Sequence, residues 1–231
     1  MIRADTGCRP LIIQIIKRYI SYIKNIKLTT CKLSYDAFMY ENESSESPNF
    51  TQFLENFNLN IDSLPIPHTN ITKICHGTYD RFWTERISSI SKAISFNKYK
   101  SGINLEPYLV KLNPRYRIAL SRFRLSNHSL WIEKGRHMKP IIDKEMRLCE
   151  LCKTKIEDEK HFLLFCPLYS PNRNILEDVC RINCSRYDSL NDEQKFVYIM
   201  SNENKDILKM LGKFIFESMK LRDKMIDYFF T

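Results

Sequence analysis

The chain has 231 residues, a mass of 27.6 kDa, 43% apolar and 27% charged residues, and a formal charge of +9. These proportions exclude wholesale disorder, and with only five glycines neither a GxGxxG nor a P-loop occurs. No apolar run approaches the ~18 residues a membrane span requires, so no membrane partner is expected.

The first predicted element is a helix opened by Pro10, a residue suited to the first helical turn. Ile12, Ile15, Ile16, Tyr19, Ile23 and Ile26 recur in it at helical spacing up to Lys27. It lies in a stretch, 1–35, of net charge +6, whereas 36–72 holds no base and sums to −6. Within that acidic stretch ENESSESPN (41–49) reads as a polar loop, and Phe50 to about Phe57 as a short apolar helix. Pro65 and Pro67 break the chain again. A longer helix is expected from Asn70 to about Phe96, with Ile71, Ile74, Phe82, Ile87, Ile90 and Ile94 mostly on one side.

Pro114 opens the next helix, where Tyr116, Ala119, Leu120 and Phe123 form a single apolar stripe. Helical geometry puts Arg115 with Arg122 on one flank of the stripe and Arg117 with Arg124 on the other. Strands are expected only at Leu130–Ile132 and beside the first cysteine pair. The C-terminal part reads as three helices, roughly 171–183, 192–201 and 203–229. In the last of these Leu208, Leu211, Phe214, Ile215, Leu221 and Met225 repeat at helical spacing. The expected fold is mainly α: bundle-like helical segments flanking a small Cys–Cys–His–Cys knuckle at residues 149, 152, 161 and 166, with few short strands. Three segments are expected: a helical region 1–110 with an acidic loop at 36–72, a basic helix plus knuckle at 111–170, and C-terminal helices at 171–231.

Eight cysteines could signal a secreted disulfide scaffold, but such scaffolds are shorter and begin with a signal peptide. Here Arg3, Arg9, Lys17 and Arg18 flank an apolar run that is too brief, with no small-residue cleavage site. An intracellular address, nuclear or cytoplasmic rather than secreted, is therefore expected, although residues 6–35 also carry the basic, acid-free pattern of a transit peptide. In a reducing compartment clustered cysteines usually bind metal.

RLCELCKTKIEDEKHFLLFCPLY places Cys149-x2-Cys152, then eight residues, then His161-x4-Cys166. A CxxC turn presents two thiolates to one ion, and the His-x4-Cys gap suits the helical second half of a zinc finger. Three thiolates and one imidazole fill a tetrahedron. One structural Zn2+ is expected on Cys149, Cys152, His161 and Cys166, with Asp158 or Glu159 capping the short helix. Cys180 and Cys184 have no further ligand at metal spacing and read as buried structural cysteines. His76 and His128 read as surface or helix-end residues.

The excess of positive charge is concentrated in 111–139, at +7. Arg115, Arg117, Arg122, Arg124, Arg136, His137 and Lys139 are the candidate phosphate contacts, with Trp131 or Tyr169 available to stack on unpaired bases, although Trp131 reads first as packing against the 115–125 helix.

TGCRPL followed by a basic amphipathic helix, RYRIALSRFRLSNHSLWIEKGRH, and then the Cys–Cys–His–Cys knuckle resemble the C-terminal region of LINE-type (non-LTR) retrotransposon reverse transcriptase proteins. The tail DEQKFVYIMSNENKDILKMLGKFIFESMKLR is similar as well. The resemblance implies a knuckle that follows the polymerase and assists RNA or DNA handling, with Cys149, Cys152, His161 and Cys166 as its ligands. A polymerase needs an Asp-Asp hairpin to hold magnesium, and this chain has no Asp-Asp pair. The expected function is a zinc-stabilised, mostly sequence-independent nucleic-acid-binding module without enzymatic activity, with RNA or DNA and a polymerase core on another chain as partners. The competing readings are a structural or protein-interaction module, in which zinc only holds the fold, and a decayed mobile-element fragment.

Overall fold

The structure, a computed structural model, describes residues 2–28, 31–33, 36, 37, 40, 55, 59 and 68–230. The loop expected at 41–49, Pro65, Pro67 and nearly all of the short helix expected at 50–57 lie outside the described residues. The helices run in the order α1 (Ile2–Thr6), α2 (Leu11–Leu28), α3 (His68–Ser88), α4 (Ile94–Asn97), α5 (Tyr108–Lys111), α6 (Pro114–Arg124), α7 (Trp131–Lys134), α8 (Ser170–Asn183), α9 (Asp192–Ser201) and α10 (Lys205–Phe230). The mainly α expectation holds. Among the described residues, strand pairing is confined to two isolated bridges, Thr6 with Leu105 and Leu148 with Ile156. The second lies at the first cysteine pair, as expected. Leu130–Ile132 is not a strand: Leu130 is extended, but the chain turns into α7 at Trp131.

The chain forms two compact units, Cys8–Arg86, and Met1–Gly7 together with Ile87–Thr231. The boundaries expected near 110 and 170 do not follow this division, because α6 from the basic segment and α8 from the C-terminal segment both pack on α10.

In the unit Cys8–Arg86, α2 and α3 share a small core of Ile13, Ile16, Ile20, Ile71 and Cys75. The buried face of α2 is rotated from the expected stripe, taking in Ile13 and Ile20 while Ile15 is exposed. Arg9 donates to both carboxylate oxygens of Asp80, at 3.2 and 2.9 Å. On α3 the apolar positions expected on one side part company. Ile71 and Ile87 are buried, along with Cys75 and Trp83, whereas Phe82, Ile90 and Ile94 are exposed. The helix also stops at Ser88 instead of running on to Phe96. The run Ser88, Ser89, Ile90, Ser91 explains this, since serine hydroxyls compete for backbone groups and a β-branched residue loses rotamer freedom in a helix. Ile90 turns extended, and the Ile87 carbonyl accepts the Ile90 amide at 3.2 Å and Asn97 Nδ2 at 3.1 Å.

The larger unit has one continuous core, to which α5, α6, α8, α9 and α10 contribute. Asn113 starts α6 by accepting the amide of Tyr116 at 3.2 Å, with Pro114 in the first turn. From α6 the core takes Tyr116, Leu120 and Phe123, and from α10 Leu208, Leu211, Phe214 and Ile215, which matches both expected stripes. Gly212 lets α10 approach closely, because a Cβ there would sit 2.9 Å from Tyr116 Cβ and 3.1 Å from Leu112 Cδ1. A reciprocal capping box, Asn191 with Gln194, starts α9.

The N-terminal segment belongs to this unit. Ala4 and Asp5 are buried, and Glu106 donates its amide to the Asp5 carbonyl at 2.8 Å. Gly7 adopts φ +67° against Leu105, a conformation and a closeness that a side chain would resist.

Candidate metal centre

A tight hairpin carries the first two ligands. Leu148 bridges Ile156, Cys149 donates its amide to Lys155 O at 2.9 Å, and Lys153 donates to Cys149 O at 2.9 Å. Lys153 takes φ +57° to close the turn directly after Cys152. The other two ligands bracket a short wide-turn helix, His161–Phe165, whose start is held by Asp158 Oδ1 accepting the His161 amide at 2.7 Å. Phe162 and Leu163 are buried in the core, and the Phe162 ring lies 5.5 Å from Phe123, 5.5 Å from Phe214 and 4.6 Å from Tyr169. The knuckle is therefore continuous with the helical core.

Cys149, Cys152, His161 and Cys166 converge, with their ligand atoms all within 4.8 Å of one another. Cys149 Sγ lies 4.0 Å from Cys166 Sγ, and Cys152 Sγ lies 3.3 Å from His161 Nε2. A tetrahedral ion with bonds of about 2.3 Å to sulfur and about 2.0 Å to nitrogen has edges of about 3.5–3.8 Å, so these separations fit. The group can hold one metal ion. The hydrogen bond to Cys166, and then burial, push the Cys149 thiol up to about 12, while that same contact lowers Cys166. Burial opposes charge on His161, but Cys149 and Cys152 beside it raise it overall.

The sequence did not reveal what fixes the knuckle in place. Arg222 of α10 grips Glu157 with two hydrogen bonds of 2.7 Å and also reaches Glu150 at 3.2 Å. Glu157 accepts the Trp131 amide at 2.8 Å as well and lies 3.7 Å from Cys149 Sγ, so α7 and the CxxC hairpin meet on one carboxylate. Glu159 is buried and accepts from Ser126 at 2.9 Å and Ser95 at 3.0 Å, with His128 Nε2 at 3.1 Å. Burial alone would raise Glu159, but the hydrogen bond and charge of His128 lower it to about 2. His128, expected at the surface, is a buried member of this cluster, its side chain 3% exposed. Arg173 closes the far side by donating to the carbonyls of Leu163 and Cys166 at 2.9 and 2.6 Å. The acid run Glu157-Asp158-Glu159 between the ligand pairs was the visible signal. Its partners, 65 residues away for Arg222 and 31 for His128, were not visible.

The seven expected phosphate contacts divide. Arg124 is a correction: it is 2% exposed, donates to Asp5 at 3.0 and 3.1 Å and to Met200 O at 2.6 Å, and pairs with Glu106 at 3.0 Å. The N-terminal segment supplies the carboxylate that makes burying this guanidinium tolerable. Arg117 donates to Leu109 O at 2.9 Å, and Arg115 lies over the Tyr116 ring at 4.6 Å. Arg136 is half-buried and engages Glu133 at 3.3 Å and Ser91 Oγ at 3.2 Å. Arg122, His137 and Lys139 are exposed and have no side-chain partner among the described residues. Tyr169 is also a correction: it is buried against Phe162 and cannot stack on a base. Trp131 is half-buried, with Lys134 Nζ 4.9 Å from its ring centre. Cys180 is buried and Cys184 half-buried, and among the described residues no metal group includes either.

Comparison of the chain with protein-family models, with curated proteins and with solved structures returns no match. Among the described residues no helix is long and apolar enough to cross a membrane. The molecule is thus a helical protein with a Cys3His group able to hold one metal ion.

Proposed function

We propose that this chain is a zinc-stabilised nucleic-acid-binding module that contacts RNA or DNA mostly through phosphates, like the C-terminal part of LINE-type reverse transcriptases that its sequence resembles. The observation that carries the reading is the convergence of Cys149, Cys152, His161 and Cys166 to within 4.8 Å of one another, joined through the Glu157–Trp131 hydrogen bond to the segment that bears His137 and Lys139. Sulfur-rich tetrahedral donor sets favour zinc over magnesium, calcium or manganese. Zinc supplies folding energy here rather than a reacting centre, because all four positions are taken by protein. The phosphate contacts are Arg122, His137 and Lys139, with Arg136 adjoining. Arg124 is excluded from this role, and Arg115 and Arg117 are engaged elsewhere. On this reading any polymerase activity is supplied by another chain, since this sequence has no Asp-Asp pair to hold magnesium.

Fluorescence anisotropy of a labelled single-stranded 20-mer, titrated with salt, tests the reading. Binding should weaken with log salt at a slope of about −0.7 per contacted phosphate. Arg122→Ala combined with Lys139→Ala should flatten the slope by one to two units and leave metal content unchanged. Affinity without salt dependence rejects it.

The protein-interaction reading is favoured by one observation: Met138, Ile141 and Met146 stand exposed in the same segment as His137 and Lys139. It expects no salt slope, and capture of a polymerase polypeptide that Ile141→Ser abolishes.

A further inference from the structure

Between α6 and α10 the larger unit carries a groove of about 750 Å³. That is within the range of about 300–1,000 Å³ in which small-molecule sites fall. Phe123, Ile215, Phe216 and Met219 line it with apolar and aromatic surface, and Arg122 and Lys220 add two exposed cations. Neither cation has an ion-pair partner among the described residues. Asp223, the acid on the groove, is already engaged, accepting from Ser129 Oγ at 3.4 Å and lying 3.9 Å from Arg222 Nη1.

His128 stands in the groove wall, buried, with Nδ1 lacking any hydrogen-bond partner. Its Nε2 lies 3.1 Å from Glu159 Oε1. The wall residues Asn127, His128 and Ser129 also line a second groove, which holds Lys92, Lys134 and His137. In that second groove Lys92 pairs with Glu133 at 3.6 Å and Lys134 with Glu150 at 3.9 Å, which leaves His137 as its unpaired basic residue among the described residues.

We propose that the groove between α6 and α10 seats one unpaired nucleotide of a single-stranded nucleic acid, a site that deepens the nucleic-acid-binding reading and rests on it. The base lies on Phe216 and Met219, its phosphate lies between Arg122 and Lys220, and the strand continues past Ser129 toward Lys134 and His137. An apolar ligand would leave both cations without a counter-charge, whereas a nucleotide satisfies floor and rim together. Stacking on an aromatic surface is worth about 1–3 kcal/mol per base, enough for roughly tenfold in affinity.

The test compares a fluorescein-labelled mixed-sequence 12-mer DNA strand with the same strand made abasic throughout, using the full zinc-loaded chain. The intact strand should bind at least tenfold tighter at one salt concentration, with salt slopes that agree. Lys220→Ala should reduce both slopes by about 0.7. Phe216→Leu, which keeps the apolar volume, should lower the intact strand's affinity and leave the abasic strand's unchanged. Photo-crosslinking with 5-iodouracil in the strand should place adducts on residues 213–220. Equal binding of the two strands, or adducts confined to 136–144, overturns the nucleotide site while leaving phosphate binding intact. Failure of both strands to bind overturns the nucleic-acid reading and the site with it.

Discussion

The knuckle and the basic segment that precedes it invite comparison, since both were singled out in the sequence by residue type and spacing. In the knuckle all four candidate ligands come together. In the basic segment one of seven candidates is buried in an ion-pair cluster, three are engaged by neighbouring groups, and three are left at the surface. The difference lies in the range over which each signal acts. A ligand set is a local constraint, because a CxxC turn and a His-x4-Cys helix can converge with only eight residues between them. A basic residue's role depends on which acid the rest of the chain brings to it. For Arg124 that acid is Asp5, 119 residues away.

The most severe way to break the comparison is to remove the metal. Structural zinc contributes about 10–16 kcal/mol of apparent folding energy in small fingers. Purified protein should contain one equivalent of zinc by elemental analysis, and Cys149→Ser or His161→Ala should lose it. Because Phe162 and Leu163 sit in the main core, near-UV circular dichroism should show lost packing beyond residues 145–170. A stoichiometry near zero, in protein never exposed to chelator, would remove the knuckle from the argument.

Arg124→Ala comes next. Breaking a buried, hydrogen-bonded pair costs about 3–5 kcal/mol, because Asp5 loses its opposite charge and keeps only the Tyr108 hydroxyl, at 2.8 Å. Urea unfolding should show that loss, while the salt dependence of nucleic-acid binding stays as in the parent. A change in slope with unchanged stability would restore Arg124 to the phosphate surface.

Acid should then separate the knuckle's anchor from the rest. Glu159 titrates at about 2 in the folded protein, against an ordinary value near 4.5. A depressed folded value contributes stability that is complete above the unfolded value and is lost as pH falls from about 4.5 toward 2. The amount is on the order of 3 kcal/mol. Glu159→Gln should be less stable at neutral pH and should flatten this part of the stability–pH curve. An unchanged curve would mean that His128 does not hold the carboxylate in its charged form.

The smallest stability effect should come from Arg122→Ala, which is exposed and unpaired: within about 0.5 kcal/mol of the parent. Its effect should fall on binding alone, where the salt slope drops by about 0.7. Arg122 and Arg124, two residues apart, would then differ in both readouts and in opposite directions.

The local physics of this chain was legible in its sequence. Pro114, with the period of Tyr116, Leu120 and Phe123, specified α6 and its buried face, and the period through Leu208, Leu211, Phe214 and Ile215 specified α10. Both signals act within a few turns, where side chains meet their neighbours along the chain. Cys149, Cys152, His161 and Cys166 were legible for the same reason. What only the tertiary structure decided is which side of a borderline amphipathic helix turns inward and which charges are neutralised. α3 shows the first: its isoleucines and aromatics surround the axis closely enough that packing, not period, chose Cys75 and Trp83 over Phe82. Arg124, Arg222, Glu157 and Glu159 show the second. Burying a charge is tolerable only against an opposite charge at hydrogen-bonding distance, and the partners here come from 18 to 119 residues away. No window of sequence holds both members of such a pair, so the fold alone selects which of the basic residues remain free to meet a phosphate.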